Sequence, residues 1–319
     1  MNQLEIVSLE MLVPKKHNYR RFKALWNFKN IEEKLSKLQC SPTYKGYGMM
    51  RLFLCLVVQF MEDISDRELE AYLEENMAVK WFCGFQLQER TPDYTLFTKL
   101  RSRIGTKLLS TIFQELKQQL KTQGYMNEAF TFVDASHLIS KASLWQERDK
   151  AIEKKYEKLN NETLPQVAHD KQARIGCKGK GKFWYGYKEH VSVDMDSGMI
   201  NKVAITPANL TDAAGFKHVS TKKGVIYADK GYCLAPATRI AKQKGVELRA
   251  IKKNNMEGKD AALDKGYSKL RAPYERVFSR MRKRVRYVGI VKNQFAGFMY
   301  AICFNMKRLL RLSPPPKLA

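Results

Sequence analysis

The sequence predicts a two-domain α/β chain, with an all-helical first domain followed by a second domain built on a mixed five-stranded sheet flanked by helices. Three observations carry that expectation. Apolar residues recur at helical spacing from residue 20 to residue 125. Past Gly124 the period changes to that of strands. At roughly 150 residues per domain, 319 residues suffice for two cores.

The helical half is legible element by element. Ile31, Leu35 and Leu38 repeat at helical spacing, and residues 49–61 are apolar nearly all round, as suits a helix at the centre of a bundle. Ser65 with Glu68 three residues later is a capping box, opening a helix with Leu69, Tyr72 and Leu73 on one face. Thr91-Pro92-Asp93 marks another helix start, whose stripe from Leu96 to Leu116 crosses a break at Gly105. In the second half, residues 129–133 form a β-type run ending on Asp134. Residues 187–195 and 199–205 form a hairpin through Asp196-Ser197-Gly198, with Asp194 and Asp196 as turn formers. Residues 224–228 form a buried strand ending on Asp229. A helix at 235–244, a strand at 246–251 and two helices at 272–288 and 292–310 complete the pattern.

Composition narrows the function. With 44% hydrophobic and 28% charged residues, the chain is neither a disordered tail, a collagen-like repeat nor a small disulfide scaffold. Its 57 Lys and Arg against 32 Asp and Glu leave a net charge of +25. Self-repulsion on that scale opposes compactness, which points to a polyanionic partner, nucleic acid above all. Ribosomal-type charge padding and membrane-surface binding are the bland alternatives. The six cysteines are scattered without a C-x-x-C pair and sit mostly among apolar residues, as buried reduced thiols of a cytoplasmic protein do. A zinc site from His169, Cys177 and His190 has irregular spacing and is disfavoured. The first residues carry no secretory pattern, and the longest apolar stretch, ten residues at 52–61, is about half of what a bilayer requires. No membrane association is expected.

Three acids stand out by position. Asp134 and Asp229 end strands, where α/β folds place their chemistry, and Glu275 lies near the start of a helix. A lone acid at such a place is ordinarily a cap or turn residue. Three of them in a chain of this charge suit hard divalent cations, which take oxygen ligands and in pairs can assist phosphodiester chemistry. From Lys265 to Lys292 there are ten Lys and Arg and a single acid, Glu275. On a helix, Glu275, Ser279, Arg282 and Arg286 would line one face: either an intrahelical ion pair or a metal ligand among strand-gripping arginines. Between the first strand and the hairpin lies a polar segment, 141–182, with 11 Lys and Arg against six acids. Its end, Cys177 to Lys182, is expected to be a flexible basic loop, either solvated linker or phosphate contact.

In the order they occur, these segments resemble the bacterial insertion-sequence transposases with a DDE catalytic triad, of the family-five insertion-sequence type. Ser65-Asp-Arg-Glu-Leu-Glu70, Trp81-Phe-Cys-Gly-Phe85 and Thr91-Pro-Asp-Tyr-Thr-Leu96 are similar to its helical segments. Val133-Asp-Ala-Ser136, Gly186-Tyr-Lys-Glu-His190, Thr206 to Asp212, Ala228-Asp-Lys-Gly-Tyr232 and Tyr274-Glu-Arg-Val-Phe278 resemble its catalytic motifs. The resemblance runs from about residue 42 to residue 310. One departure is Arg282, with Lys283 beside it, where relatives often place a lysine seven residues after the glutamate; a planar fork replaces a point charge.

The resemblance implies a ribonuclease-H-like catalytic domain at 126–312, with the insertion at 141–182, a helical domain at 1–125 for DNA ends or assembly, and a tail at 313–319. Asp134, Asp229 and Glu275 are then both catalytic residues and ligands of Mg²⁺, with Mn²⁺ able to substitute. Lys188, His190, Lys230, Arg276, Arg280, Arg282, Lys283 and Arg286 are the expected DNA contacts. Lys188 and His190, on one face of a strand, read equally well as surface residues. Trp145 and Trp184 bracket the insertion, as base-stacking or core residues. The expected partner is double-stranded DNA, both the terminal inverted repeats and the target, with a homodimer or larger assembly on DNA in the cytoplasm at the nucleoid. A nuclease without joining activity and a non-catalytic DNA-binding protein are the alternatives.

Overall fold

The computed structural model describes residues 7–38, 46–142, 144–154, 160–178, 181–279 and 281–313. Its contacts divide the chain into two compact units, Met1–Thr122 with Phe298–Ala319, and Gln123–Gly297.

The first unit contains α1 (Leu9–Leu12), α2 (Asn18–Leu25), α3 (Lys29–Ser36), α4 (Met49–Glu62), α5 (Asp66–Glu75), α6 (Met77–Cys83) and α7 (Tyr94–Thr122). The all-round apolar sequence of α4 puts it at the centre, with Phe53 and the whole run Cys55–Val58 wholly inaccessible. Ser65 and Glu68 form the capping box expected at α5, each side chain accepting from the other's backbone N–H. The Asp93 carboxylate accepts from Thr95 N at 2.8 Å at the start of α7, and Gly105, at φ +62°, makes the break inside that helix.

The second unit holds β1 (Phe130–Ile139), α8 (Leu144–Glu153), α9 (Leu164–Val167), β2 (Arg174–Lys178), β3 (Lys182–Asp194), β4 (Ile200–Pro207), α10 (Asp212–Val219), β5 (Val225–Ala228), α11 (Ala235–Lys244), β6 (Glu247–Ala250) and α12 (Ala261–Ser279). A last helix, α13 (Ile290–Leu312), begins in this unit. Its later residues pack in the first unit, Phe298 against Phe113 and Tyr300 against Phe60, although their place in the chain suggested the second domain.

β3 is antiparallel to β1 and β4, while β1–β5 and β5–β6 are parallel. The sheet therefore runs β4–β3–β1–β5–β6, with β2 beside the first part of β3. Three antiparallel strands, then two parallel ones reached through α10 and α11, make this a ribonuclease-H-like fold. One side carries a core of Val133, Ala213, Phe216, Ile226 and Ala228, and Leu138, Tyr185, Tyr187 and Val285 form a second core. Among the described residues no helix is long and apolar enough to cross a membrane.

Three expectations need correction. β1 does not stop at Asp134 but continues for five residues, and β3 starts five residues early, because each supplies the other's ladder. The sheet gains a sixth strand, β2, from the polar insertion, whose end at Cys177 to Lys182 reads in the sequence as a flexible basic loop. Leu164, Ala168 and Ala173 of that segment are buried, and buried Asp170 accepts hydrogen bonds from the hydroxyls of Tyr185 and Tyr187 at 2.7 Å each. Finally, the helix expected at 272–288 is displaced: α12 starts at Ala261 and ends at Ser279. Residues 283–285 instead pair with the end of β1, Ile139 N donating to Lys283 O at 2.8 Å and Val285 N to Ile139 O at 2.9 Å. Burying Val285 in the second core and completing the β1 ladder outweigh the helical periodicity.

Candidate active site

Parallel pairing sets the site. Phe132 is level with Tyr227 and Val133 with Ala228, so the next residues, Asp134 in β1 and Asp229 after β5, come side by side. Strand alternation turns Phe132, Asp134 and Tyr227 away from the face that carries Val133 and Ala228. α12 covers this opposite face through aromatic contacts, Tyr267 on Tyr227 and Tyr274 on Phe132. Between those tyrosines on the same helix stands Arg271, its guanidinium 5.2 Å from the Phe132 ring centre.

Arg271 organises the acids. Its Nη1 donates to Asp229 Oδ1 at 3.0 Å, and its Nη2 lies 3.9 Å from Glu275 Oε1. The Arg271 side chain is only 9% exposed, whereas that of Glu275 is 65% exposed. Backbone amides hold the two aspartates, Ala135 N on Asp134 Oδ1 at 2.8 Å and Lys230 N on Asp229 Oδ1 at 2.7 Å. Burial pushes the Asp134 carboxyl up to about 6, Asp229 and Asp212 add to the rise, and Arg271 opposes it.

Tyr232 lies behind this centre, in the core that carries Val133, Phe216 and Ala228. It is fully buried, its hydroxyl has no hydrogen-bond partner among the described residues, and burial together with the charges of Asp134, Asp212 and Asp229 holds the phenol far above its usual range. The donors at hand are all hard oxygens, which suits a divalent cation such as Mg²⁺ at Asp134 and Asp229. Among the described residues, no three His, Cys, Asp or Glu side chains stand close enough together to hold one ion. Arg271, placed between Asp229 and Glu275, explains why the third carboxylate stays apart.

The expected DNA contacts separate into several groups. Lys230 is exposed directly after Asp229. Lys188 lies in β3 opposite His137 and forms an ion pair with Asp212 at 2.8 Å. His190 is wholly buried, its Nε2 2.9 Å from Thr206 Oγ1 and its ring against Gly215 of α10, so it has a packing role and no phosphate within reach. Burial also lowers its imidazole to about 4, leaving it neutral. Arg282, Lys283 and Arg286 lie beyond the end of α12, so they do not continue a helical face with Glu275. The side chain of Arg276, that of Trp145 and the whole of Arg280 lie outside the described residues.

Sequence reading missed Arg271 and gave no role to Glu189, which lies in one of the motif segments. Arg271 was one cation among ten, although its place four residues before Glu275 marks the same helix side. Glu189 faces the same side of the sheet as Asp134, since it pairs with Ser136. It is buried, opposite Ile205 of β4 and beside Gly297, and burial raises its carboxyl to about 8.

Fold and site together define a ribonuclease-H-like domain with an acidic centre on its two parallel strands. Residues 7–103 match the model of a transposase domain, and residues 149–306 match that of the transposase DDE domain. Between them the two take in most of the chain, which belongs to the DDE transposases. Among solved structures it is similar to the piggyBac transposase in a cryo-EM synaptic complex with hairpin DNA, at 9% identity and a TM-score of 0.40, over 97% of this chain and 79% of that one.

Proposed function

We propose that this chain is an insertion-sequence transposase of the family-five type, which binds the terminal inverted repeats of its element, cleaves DNA there and joins the freed 3′ end to target DNA. The observation that carries the reading is the side-by-side placement of Asp134 and Asp229 within a transposase-family chain of net charge +25. Asp134 and Asp229 would hold Mg²⁺, or Mn²⁺ in its place, and Glu275 joins them once Arg271 gives way. Such an ion, when bound, activates water or a 3′-hydroxyl and stabilises the leaving oxygen.

The chain's own residues supply the rest. Backbone amides of Ala135 and Lys230 fix the two aspartates. Lys230, Arg276, Arg280, Arg282, Lys283 and Arg286 supply phosphate attraction, and the helical unit recognises the repeats. Joining two ends requires two copies on DNA, acting at the chromosome in the cytoplasm.

A strand-transfer assay with labelled element ends and Mg²⁺ tests this. Joined product is the expected outcome. Cleavage without joining would identify a nuclease, and binding without either would identify a non-catalytic DNA-binding protein.

A further inference from the structure

The β2–β3 hairpin stands outside the chemistry described so far, yet its composition is unusual even for this chain. From Lys171 to Lys182 there are five Lys and Arg, and no acid occurs between residues 171 and 188. Of the acids before it, Asp170 is buried and hydrogen-bonded, and Glu162 is exposed beside Asn161, whose side chain bonds Ile175 N and O of β2, one acid against the five cations of this surface. Lys178 and Lys182 are exposed and directly opposite each other across the two strands. Beside them, Phe183 is 63% exposed, paired with exposed Cys177 on the other face of the ribbon.

The hairpin is also held firmly. The Trp184 indole lies against Gly176 of the facing strand, so close that a Cβ there would meet the ring at 2.5 Å, and its Nε1 donates to Tyr187 O at 3.1 Å. Trp184 is thus an internal brace, which leaves Phe183 as the outward aromatic.

Its position relates it to the acids. Asp134 is level with Val191 on β3, and Phe183 lies eight residues further along the same strand, toward the C-terminal end of β1. At about 3.3 Å per residue that is about 26 Å, the length of roughly eight base pairs at 3.4 Å each. A duplex held at the acids therefore comes within reach of the ribbon inside its first helical turn. The major groove admits a two-stranded β-ribbon.

We propose that the β2–β3 hairpin docks in a groove of the duplex within one turn of the cleaved phosphate, with Lys178 and Lys182 on the backbone and Phe183 on the base edges. The proposal rests on the DNA-cleaving reading above and adds a contact that the acidic centre does not need for chemistry.

Cys177 supplies a native probe. The full chain is incubated with element-end duplexes carrying a disulfide-tethered base at each position from the cut to ten base pairs away. The expected result is crosslinking confined to a few adjacent positions and abolished in Cys177→Ser. A duplex that binds the chain but crosslinks at no position through Cys177 overturns the proposal. The double variant Lys178→Ala/Lys182→Ala should retain the thermal stability of the parent and bind the duplex with a log–log salt slope smaller by about two; an unchanged slope also overturns it. Strand transfer by the wild-type chain is measured separately. Joining without a Cys177 crosslink removes the hairpin contact alone, while a Cys177 crosslink without joining removes the catalytic reading alone.

Discussion

Arg271 Nη1 donates a 3.0 Å hydrogen bond to Asp229 Oδ1, which places a buried positive charge beside the acids at the centre of the sheet. The guanidinium occupies the side of Asp229 that faces Glu275, so it competes with any cation shared by those two carboxylates. Replacing Arg271 by Gln removes the competitor and keeps some hydrogen-bonding capacity. Mn²⁺ should then bind the purified protein more tightly than it binds the parent, about tenfold for each 1.4 kcal/mol of competition removed. Calorimetric titration measures this directly; weaker binding in Arg271→Gln would show that the arginine supports the metal site instead.

Metal binding should depend on acidity through Asp134. Burial raises its carboxyl to about 6 from an ordinary 3.8, so the folded, metal-free chain holds a proton there that the unfolded chain has lost. Its contribution to stability is present below pH 3.8 and is lost as pH rises through 6. A bound cation requires the charged form. Mn²⁺ affinity is therefore expected to fall with each pH unit below 6, with proton release near that pH, and to level off above pH 7. Titrations in buffers of differing ionisation enthalpy test the release, and an affinity flat from pH 5 to pH 8 would exclude Asp134 as a ligand.

Glu189 and His190 shift stability in opposite directions. Burial raises Glu189 from 4.5 to about 8, so its contribution is present below pH 4.5 and lost as pH climbs through 8. His190, lowered by burial from 6.5 to about 4, contributes above pH 6.5 and loses that contribution as pH drops through 4. Glu189→Gln should stabilise the protein by a few kcal/mol near pH 8, on the order of 1.4 kcal/mol for every tenfold change in proton affinity, and change little at pH 5. Urea unfolding at the two pH values checks this; equal effects at both would contradict a buried neutral carboxyl.

Gly215 is where α10 meets the imidazole of His190, and a methyl group there would overlap the ring. Since Thr206 holds His190 at 2.9 Å, the ring cannot withdraw without losing a buried hydrogen bond. Gly215→Ala should cost about 1–3 kcal/mol by overpacking. Thermal unfolding of this variant gives the value, and an unaltered midpoint would mean that α10 shifts freely.

Local signals were the legible ones. The Ser65–Glu68 box, the Gly105 break and the α11 boundaries depend on residues close in sequence, and all three stand in the structure where the sequence puts them. The neighbouring positions of the two aspartates were legible for a similar reason, since each comes directly after a short apolar run that the sheet buries, although β1 continues past Asp134. The end of the helix that carries Glu275 was misplaced because the helix was extended on periodicity alone through Arg282 and Arg286. The real end depends on Val285 and Lys283 pairing with Ile139, over 140 residues away in sequence. The insertion was underestimated for the same reason, as Asp170 gains its value from distant partners, Tyr185, Tyr187 and the Gly289 amide. Which cation among ten sits between the acids is likewise fixed by tertiary packing, here of Arg271 on Phe132.

Glu275→Gln separates the catalytic role of this carboxylate from an intrahelical pair with Arg271. Gln keeps the size and helix preference of Glu and removes the charge that a hard cation requires. DNA affinity and Mg²⁺-dependent strand transfer should be measured on one preparation of this variant. The expected result is duplex binding equal to or slightly above that of the parent, because one repulsive charge is gone, with cleavage and joining abolished. Strand transfer retained at the parental rate, with at most a few tenths of a kcal/mol lost in stability, would contradict the assignment of Glu275 to the acidic centre.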